Sequence, residues 1–262
     1  MMAVWLMLKA KHPHERDAHL RFDEGPHVYY IDGDRDNVSV TTLVHRYFKK
    51  FDSDAIIQKM MASPNWPNSK YFGMSVPEIK RVWSEAGRDA STRGTRMHKS
   101  IECFYNQEPV SACEDVEFKM FTEFDSEWNL EPYRTEWEIF DKDLRIAGSV
   151  DMVFVKDGEY MIYDWKRSKE IKFDNRWSRG LGVMEGHDDC NHVTYSLQLN
   201  IYRYILEKHY GLHISGMWLV VIHPTFDKYQ RIQCLNLKDE VELIMNERLE
   251  EIKCMTRNIQ HK

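Results

Sequence analysis

The sequence predicts an α/β fold in which a helix, three consecutive strands, a second helix and a further strand follow one another from about residue 95. Three observations carry this. Segments rich in β-branched and aromatic residues recur at about 132–140, 146–155 and 159–166. The last two are joined by Asp157-Gly158, a strong signal for a two-residue hairpin turn. Helical periodicity brackets them, at about 95–105 and 193–209.

Taken in order, "HVYYIDGDRDNVSVTTLV" reads as a β-hairpin with turn residues Asp32 to Asn37, leading into a helix near Thr42. Residues 42–90 look mostly helical, interrupted at "SPNWPNSKYFG" by two prolines and a glycine. A helix from about Thr95 to Tyr105 and another over "VEFKMFTEFDSEWN" precede the three strands. The helix over 193–209 stops at Gly211, as a C-cap should. "ISGMWLVVIHP" and "YQRIQCLNL" read as strands, and the chain closes with an amphipathic helix carrying Val241, Ile244, Met245, Leu249 and Ile252. The expected organisation is an N-terminal hairpin and helical region over 1–90 and a core over 91–262.

At 262 residues, 42% hydrophobic and 30% charged, the chain is long enough for one sizeable core. No apolar run approaches the ~18 residues of a membrane span. The start, "MMAVWLMLKAKHPHER", lacks the basic region and cleavage site of a signal peptide. Its early acids, Glu15, Asp17, Asp23 and Glu24, give a mitochondrial presequence only weak support without excluding one. Five scattered cysteines (Cys103, Cys113, Cys190, Cys234, Cys254) without a CxxC point to reduced thiols in an intracellular compartment, whether cytoplasm, nucleus or viral factory. The net charge of −6 predicts no polyanion partner, but local charge does. Between Asp164 and Gly182 six basic residues face three acids, and Arg88, Arg93, Arg96 and Lys99 cluster against Asp89 alone. Solvated surface charge is the plain alternative for each run.

The informative stretch is "AGSVDMVFVKDGEYMIYDWKRSK". With Asp157-Gly158 as the turn, Lys156 pairs with Glu159, Val155 with Tyr160 and Val153 with Ile162. Asp151 then falls opposite Asp164, and Ser149 opposite Lys166. Val150, Met152 and Phe154 share the other face with Trp165, Tyr163 and Met161. Both faces are apolar, as in a sheet covered on two sides. Two carboxylates forced together there repel unless they share a proton or bind a divalent cation. Lys166, two residues beyond Asp164 on the same face, can reach the same place. The pattern therefore reads as an oxygen-ligand site for a hard cation such as Mg²⁺ or Mn²⁺ with an adjacent ammonium. The alternative is a buried salt bridge from Lys166 to one aspartate, with the second aspartate left over.

His98 and Glu102 share a helix face at i and i+4, and so do Gln198 and Tyr202. Alone, each pair is as well read as surface polarity or a satisfied backbone group. In chain order, however, His98 and Glu102, Glu136, Asp151, "DWK" at 164–166 and Gln198-x-x-x-Tyr202 resemble the RecB-like branch of the PD-(D/E)xK nuclease superfamily. The resemblance spans most of residues 27–225 and is most similar to the mitochondrial genome maintenance exonuclease and its phage and viral relatives. It implies the restriction-endonuclease-like core, a mixed sheet flanked by helices, with an N-terminal helical subdomain. It also implies roles by position. His98, Asp151, Asp164 and the carbonyl of Trp165 would hold one or two Mg²⁺ or Mn²⁺ ions. Lys166 would activate or orient water, and Glu136 would complete the outer shell. Gln198 and Tyr202 would support Lys166 or contact the nucleic acid backbone. The four-cysteine grouping of iron–sulfur relatives is missing, so no cluster is expected, and the usual final Glu is Asp164 here.

The expected activity is metal-dependent hydrolysis of DNA, as an exonuclease on single strands or duplex ends in replication, repair or recombination. An endonuclease, an RNA-directed nuclease or a catalytically inactive nucleic-acid-binding module remain alternatives, and the oligomeric state is left open. A helix start near Thr95 with Arg93 and Arg96, together with Arg167 and Thr41, would receive phosphates. Thr41 and Thr42 are equally well read as a helix cap. Trp66, Tyr71, Phe72 and Trp83 could wall a single strand or fill a subdomain core. The basic connection over 167–192 has no assigned role.

Overall fold

A computed structural model describes residues 7–111 and 115–260. Cys113 and the first six residues of the N-terminal apolar patch lie outside them. The elements are α1 (Leu8–Lys11), β1 (Leu20–Asp23), β2 (Val28–Ile31), β3 (Val38–Ser39), α2 (Val40–Val44), α3 (Ser53–Met61), α4 (Val76–Tyr105), α5 (Val116–Trp128), β4 (Glu131–Asp141), β5 (Ile146–Lys156), β6 (Glu159–Lys166), α6 (Asn191–His209), β7 (Ile214–Val221), β8 (Gln230–Gln233) and α7 (Lys238–Gln260). The α/β prediction holds, with a mixed central sheet covered by helices on both faces. Among the described residues no helix is long and apolar enough to cross a membrane.

The hairpin register is as expected over its outer half. Lys156 pairs with Glu159, Val155 with Tyr160, Phe154 with Met161, Val153 with Ile162 and Met152 with Tyr163. Asp157 and Gly158 both take positive φ, at 54° and 81°, which a type I′ turn requires. Pairing ends before Asp151 and Asp164. There β6 leaves β5 and continues in parallel along β7, with Asp164 beside Leu219 and Lys166 beside Val221. β4 occupies the whole opposite edge of β5, from Glu131 opposite Val155 to Asp141 opposite Ile146. The edge vacated by β6 is taken further along by β3, where Val38 and Ser39 pair in parallel with Ile146 and Ala147. Between these two partners, residues 148–151 of β5 face an opening in the sheet.

The left-handed backbone of Glu136 (φ 43°) interrupts β4 opposite Asp151. A non-glycine residue there costs on the order of 1–3 kcal/mol and marks a place held by its surroundings. It also breaks the facing pattern. Val150 packs with Trp137, Val153 and Ile162 on the α6 side, and not with Met152 and Phe154 as alternation predicted. One core lies between the sheet and α2, α6 and α7, the other between the sheet, α5 and the C-terminal half of α4.

Three sequence expectations are corrected. The N-terminal hairpin pairs β2 with β1, Leu20 opposite Ile31, around the turn at 24–27. β3 instead joins the main sheet, because Val38 donates to the Arg145 carbonyl (2.9 Å) while Asn37 closes the preceding loop on the carbonyls of Tyr29 and Asp34. The helix expected to begin near Thr95 begins at Val76. "Ser75-Val76-Pro77-Glu78" is the true start signal, with the Glu78 carboxylate accepting the Ser75 N–H at 2.7 Å. Gly87 and Gly94 are carried through at about 1 kcal/mol each, so Arg93 and Arg96 do not flank a helix N-terminus. The 90/91 boundary falls inside this helix, whose residues from Ser84 to Arg93 are all exposed. Finally, Ser39 caps α2, its hydroxyl accepting the Thr42 N–H at 3.0 Å, so neither Thr41 nor Thr42 is the cap.

Candidate metal centre and catalytic site

The sheet opening gathers side chains from five elements. α4 supplies His98, β4 Glu136, β5 Asp151, β6 Asp164, Lys166 and the main chain of Trp165, and α6 Tyr195, Gln198 and Tyr202. One donor atom each from His98, Glu136 and Asp151 lie within 4.8 Å of one another. His98 Nδ1 is 3.4 Å from Glu136 Oε1 and 3.6 Å from Asp151 Oδ2. Its Nε2 is 2.9 Å from the Trp165 carbonyl. Asp151 Oδ2 accepts the Trp165 N–H at 2.9 Å, which replaces the ladder bond lost where β6 departs. Glu136, expected in an outer shell, therefore lies within the cluster, brought there by its left-handed backbone.

Asp164 sits apart from this trio. It is 2% exposed and Lys166 Nζ is 2.6 Å from its Oδ2. Apart from this ammonium, no donor among the described residues reaches either buried carboxylate oxygen. The Lys166–Asp164 ion pair of the plain reading is thus present, but the second aspartate is not left over, since His98 and the Trp165 amide take it.

The electrostatics follow from burying Asp151 and Asp164 beside Lys166 and His98. Burial, then the Asp151 charge, pushes Asp164 up to about 6 against the pull of Lys166. Burial likewise raises Asp151, opposed chiefly by His98. Burial alone would lower His98, yet Asp151 and Glu136 bring it to about 9. Lys166 is raised because Asp164 and Asp151 outweigh its own desolvation. A carboxylate–imidazole–carbonyl donor set, with orphaned carboxylate oxygens alongside, fits a hard divalent cation.

The α6 side chains stand behind the acids. Gln198 Nε2 donates to the Tyr202 hydroxyl at 3.0 Å, and Tyr202 is buried against Gly148. The Tyr202 ring lies so close to β5 that an added Cβ at 148 would meet its Cε1 at 2.7 Å. This places Tyr202 away from any surface nucleic acid contact, with Gln198 half-buried above it. Lys166 Nζ lies 4.6 Å over the Tyr195 ring. Tyr195 was not among the sequence candidates; its position three residues before Gln198, on the same helix face, was the available signal. Ser149, which the register placed opposite Lys166 without giving it a site role, instead brings its hydroxyl to Glu136 at 3.4 Å.

The other basic candidates are engaged. Arg93 pairs with Asp89, Arg96 with Asp115 and Arg167 with Glu117, the last pair nearly buried at 2.8 Å. Thr41 is exposed on α2. Trp83 bonds the Tyr71 hydroxyl at 2.8 Å and meets its ring edge-on, so these two serve partly as packing, while Phe72 remains exposed.

Residues 113–261 match the family model described as the PD-(D/E)XK nuclease superfamily. The matched span holds Glu136, Asp151, Asp164, Lys166, Gln198 and Tyr202 and excludes His98. No functionally curated protein matches the chain. Among solved structures, the one described as the crystal structure of SSO0001 is 16% identical, with 86% of this chain and 78% of that one covered and a TM-score of 0.34. A "putative exonuclease" from Eubacterium rectale is 10% identical, with coverages of 85% and 80% and a TM-score of 0.35. Superpositions this loose say nothing about what the chain does.

Proposed function

Since this chain belongs to the PD-(D/E)XK nuclease superfamily, matched over residues 113–261, we propose that it is a divalent-metal-dependent deoxyribonuclease of the RecB-like branch, working as an exonuclease on single-stranded or end-containing DNA in replication, repair or recombination. The superfamily is one of metal-dependent nucleases, which accounts for hydrolysis of nucleic acid. The finer reading rests on one observation above the others: a buried Asp164 that no donor but the Lys166 ammonium reaches, next to the converging donors of His98, Glu136 and Asp151. His98 and the Gln198–Tyr202 pair are the residues that favour the RecB-like branch.

In this reading His98, Asp151, Asp164 and the Trp165 carbonyl hold one or two Mg²⁺ or Mn²⁺ ions, with Glu136 beside them. The cation supplies Lewis acidity toward a phosphate oxygen. The chain's own residues do the rest. Lys166, held by Asp164 from one side and the Tyr195 ring from the other, orients the attacking water and offsets charge on the phosphate. Gln198 fixes Tyr202, and Tyr202 against Gly148 holds β5 and its Asp151 in place. Arg93, Arg96 and Arg167 bind backbone phosphates by exchanging their present carboxylate partners.

The test is cleavage of labelled linear single strands, linear duplexes and closed circles with Mg²⁺, with Mn²⁺ and in chelator. Metal-dependent loss of the linear substrates with circles left intact is expected. Digestion of circles would replace the exonuclease by an endonuclease. Binding without any cleavage in either metal would make the chain an inactive nucleic-acid-binding module.

A further inference from the structure

The connection between β6 and α6 carries an aromatic side chain that no part of the site uses. Trp177 is 94% exposed, although tryptophan is among the side chains that gain most from burial. Among the described residues no ring or cation packs on it. Its exposure does not come from a loose tip. Asn175 donates its backbone N–H to Asp188 Oδ2 (3.0 Å) and its side-chain amide to the Asp189 carbonyl (2.7 Å). Ser178 exchanges bonds with Asp189 through its hydroxyl (2.9 Å) and its carbonyl (3.0 Å). The Trp177 N–H is itself tied to Asn175 Oδ1 at 3.1 Å. The backbone on both sides of the indole is thus clamped, and the ring is held out into solvent.

The surroundings are suited to one class of ligand. Lys169, Lys172 and Arg176 make no ion pair among the described residues, though Glu170 and Asp174 are interspersed with them. Phe173, 58% exposed, presents a second ring and leans on His192 at 4.7 Å. The connection leaves β6 immediately after Lys166 and returns into α6 four residues before Tyr195, which touches Lys166. Its neck is closed where Asn191 Oδ1 accepts the Lys172 N–H at 2.7 Å. Trp177 is five residues beyond that neck, a reach of at most about 18 Å. An open aromatic face among unpaired cations, on the connection that joins two site-bearing elements, matches the combination that holds unpaired nucleotides: bases stack on the ring while cations follow the backbone. Bases inside a duplex are already stacked and cannot reach it.

We propose that Trp177 is a stacking platform for an unpaired base, and that the 167–190 connection is the binding surface for a single-stranded segment of the substrate. This rests on the nuclease reading for its substrate class, but binding is measured independently of cleavage. The measurement is fluorescence anisotropy in EDTA, with labelled oligothymidylate and an abasic strand of equal length, on the wild type, Trp177→Ala and Trp177→Phe. Trp177→Ala should weaken oligothymidylate binding roughly tenfold, and Trp177→Phe should restore most of it. Affinity for the abasic strand, which keeps the phosphates and lacks the bases, should not change. Oligothymidylate affinity unaltered by Trp177→Ala, or an equal loss on both strands, would overturn the platform. A wild type that binds through Trp177 but never cleaves would overturn the nuclease reading alone. One that cleaves while Trp177→Ala binds normally would overturn the platform alone.

Discussion

Replacing Lys166 by methionine removes the ammonium and keeps most of the volume, and the structure says the consequence for stability depends on pH. Asp164 is buried, and the ammonium at 2.6 Å is its main counter-charge and the one donor that reaches it among the described residues. Even so its pKa is pushed from the usual 3.8 to about 6. At ~1.36 kcal/mol per pKa unit, the ionised group weakens the fold by about 3 kcal/mol. The sign follows from an acid whose folded pKa is raised: stability is highest below about pH 4 and is lost as pH rises to about 6. Without Lys166 the folded pKa climbs further, so the loss continues above 6, by up to ~1.4 kcal/mol for each additional pH unit. Lys166→Met should therefore match the wild type near pH 5 and be weaker by about 3 kcal/mol at pH 8. Urea denaturation in EDTA at pH 5, 6.5 and 8 measures this. A stability difference that is the same at all three would refute the buried-pair account. The double variant Lys166→Met/Asp164→Asn should lose the dependence. Lys166→Met should also nearly abolish cleavage.

Asp151→Asn keeps an oxygen to accept the Trp165 N–H and removes one buried charge, so its Tm in chelator should equal or exceed that of the wild type. It should abolish cleavage and the stabilisation by Mn²⁺, which for the wild type reaches ~2.7 kcal/mol at a hundred times Kd. A Tm below wild type in chelator would count against crowding of the acids. Gly148→Ala should cost about 1–3 kcal/mol in urea denaturation, because the new methyl would lie 2.7 Å from the Tyr202 ring on a strand that cannot move away; an unchanged midpoint would show that Tyr202 is not wedged there. Asp141, fully buried, is held at about 2. Burial opposes this, but the bonds from His209 Nε2 (2.7 Å), the Leu144 N–H (3.0 Å) and Lys208 (3.1 Å) outweigh it. A depressed acid stabilises above its unfolded pKa, so about 2 kcal/mol should be lost as pH falls from about 4 to about 2. Asp141→Asn should lose a similar amount at pH 7 and flatten that acid limb in a pH-dependent thermal scan.

What the sequence by itself determined is local. The Asp157-Gly158 turn has one favourable backbone solution, and with a side-chain period of two it dictates every pair from Lys156–Glu159 to Met152–Tyr163. Gly211 ends α6 for a similar reason, through its positive φ of 67°. The candidate acids Asp151 and Asp164 and the nearby Lys166 were also legible, because charged side chains in otherwise apolar strands stand out. Their partnerships were not. The register predicts Asp151 facing Asp164, but β6, paired with β7 from Tyr160 to Lys166, parts from β5 beyond Tyr163, because its other edge is held by a strand from far along the chain. Only the tertiary structure separates the carboxylates into Asp164 with Lys166 and Asp151 with His98 and Glu136. The same competition for edges moved β3 from the N-terminal hairpin to β5 and gave β2 to β1. A strand's own residues specify its periodicity and its turns; which neighbour satisfies its remaining hydrogen bonds is settled by the assembled sheet.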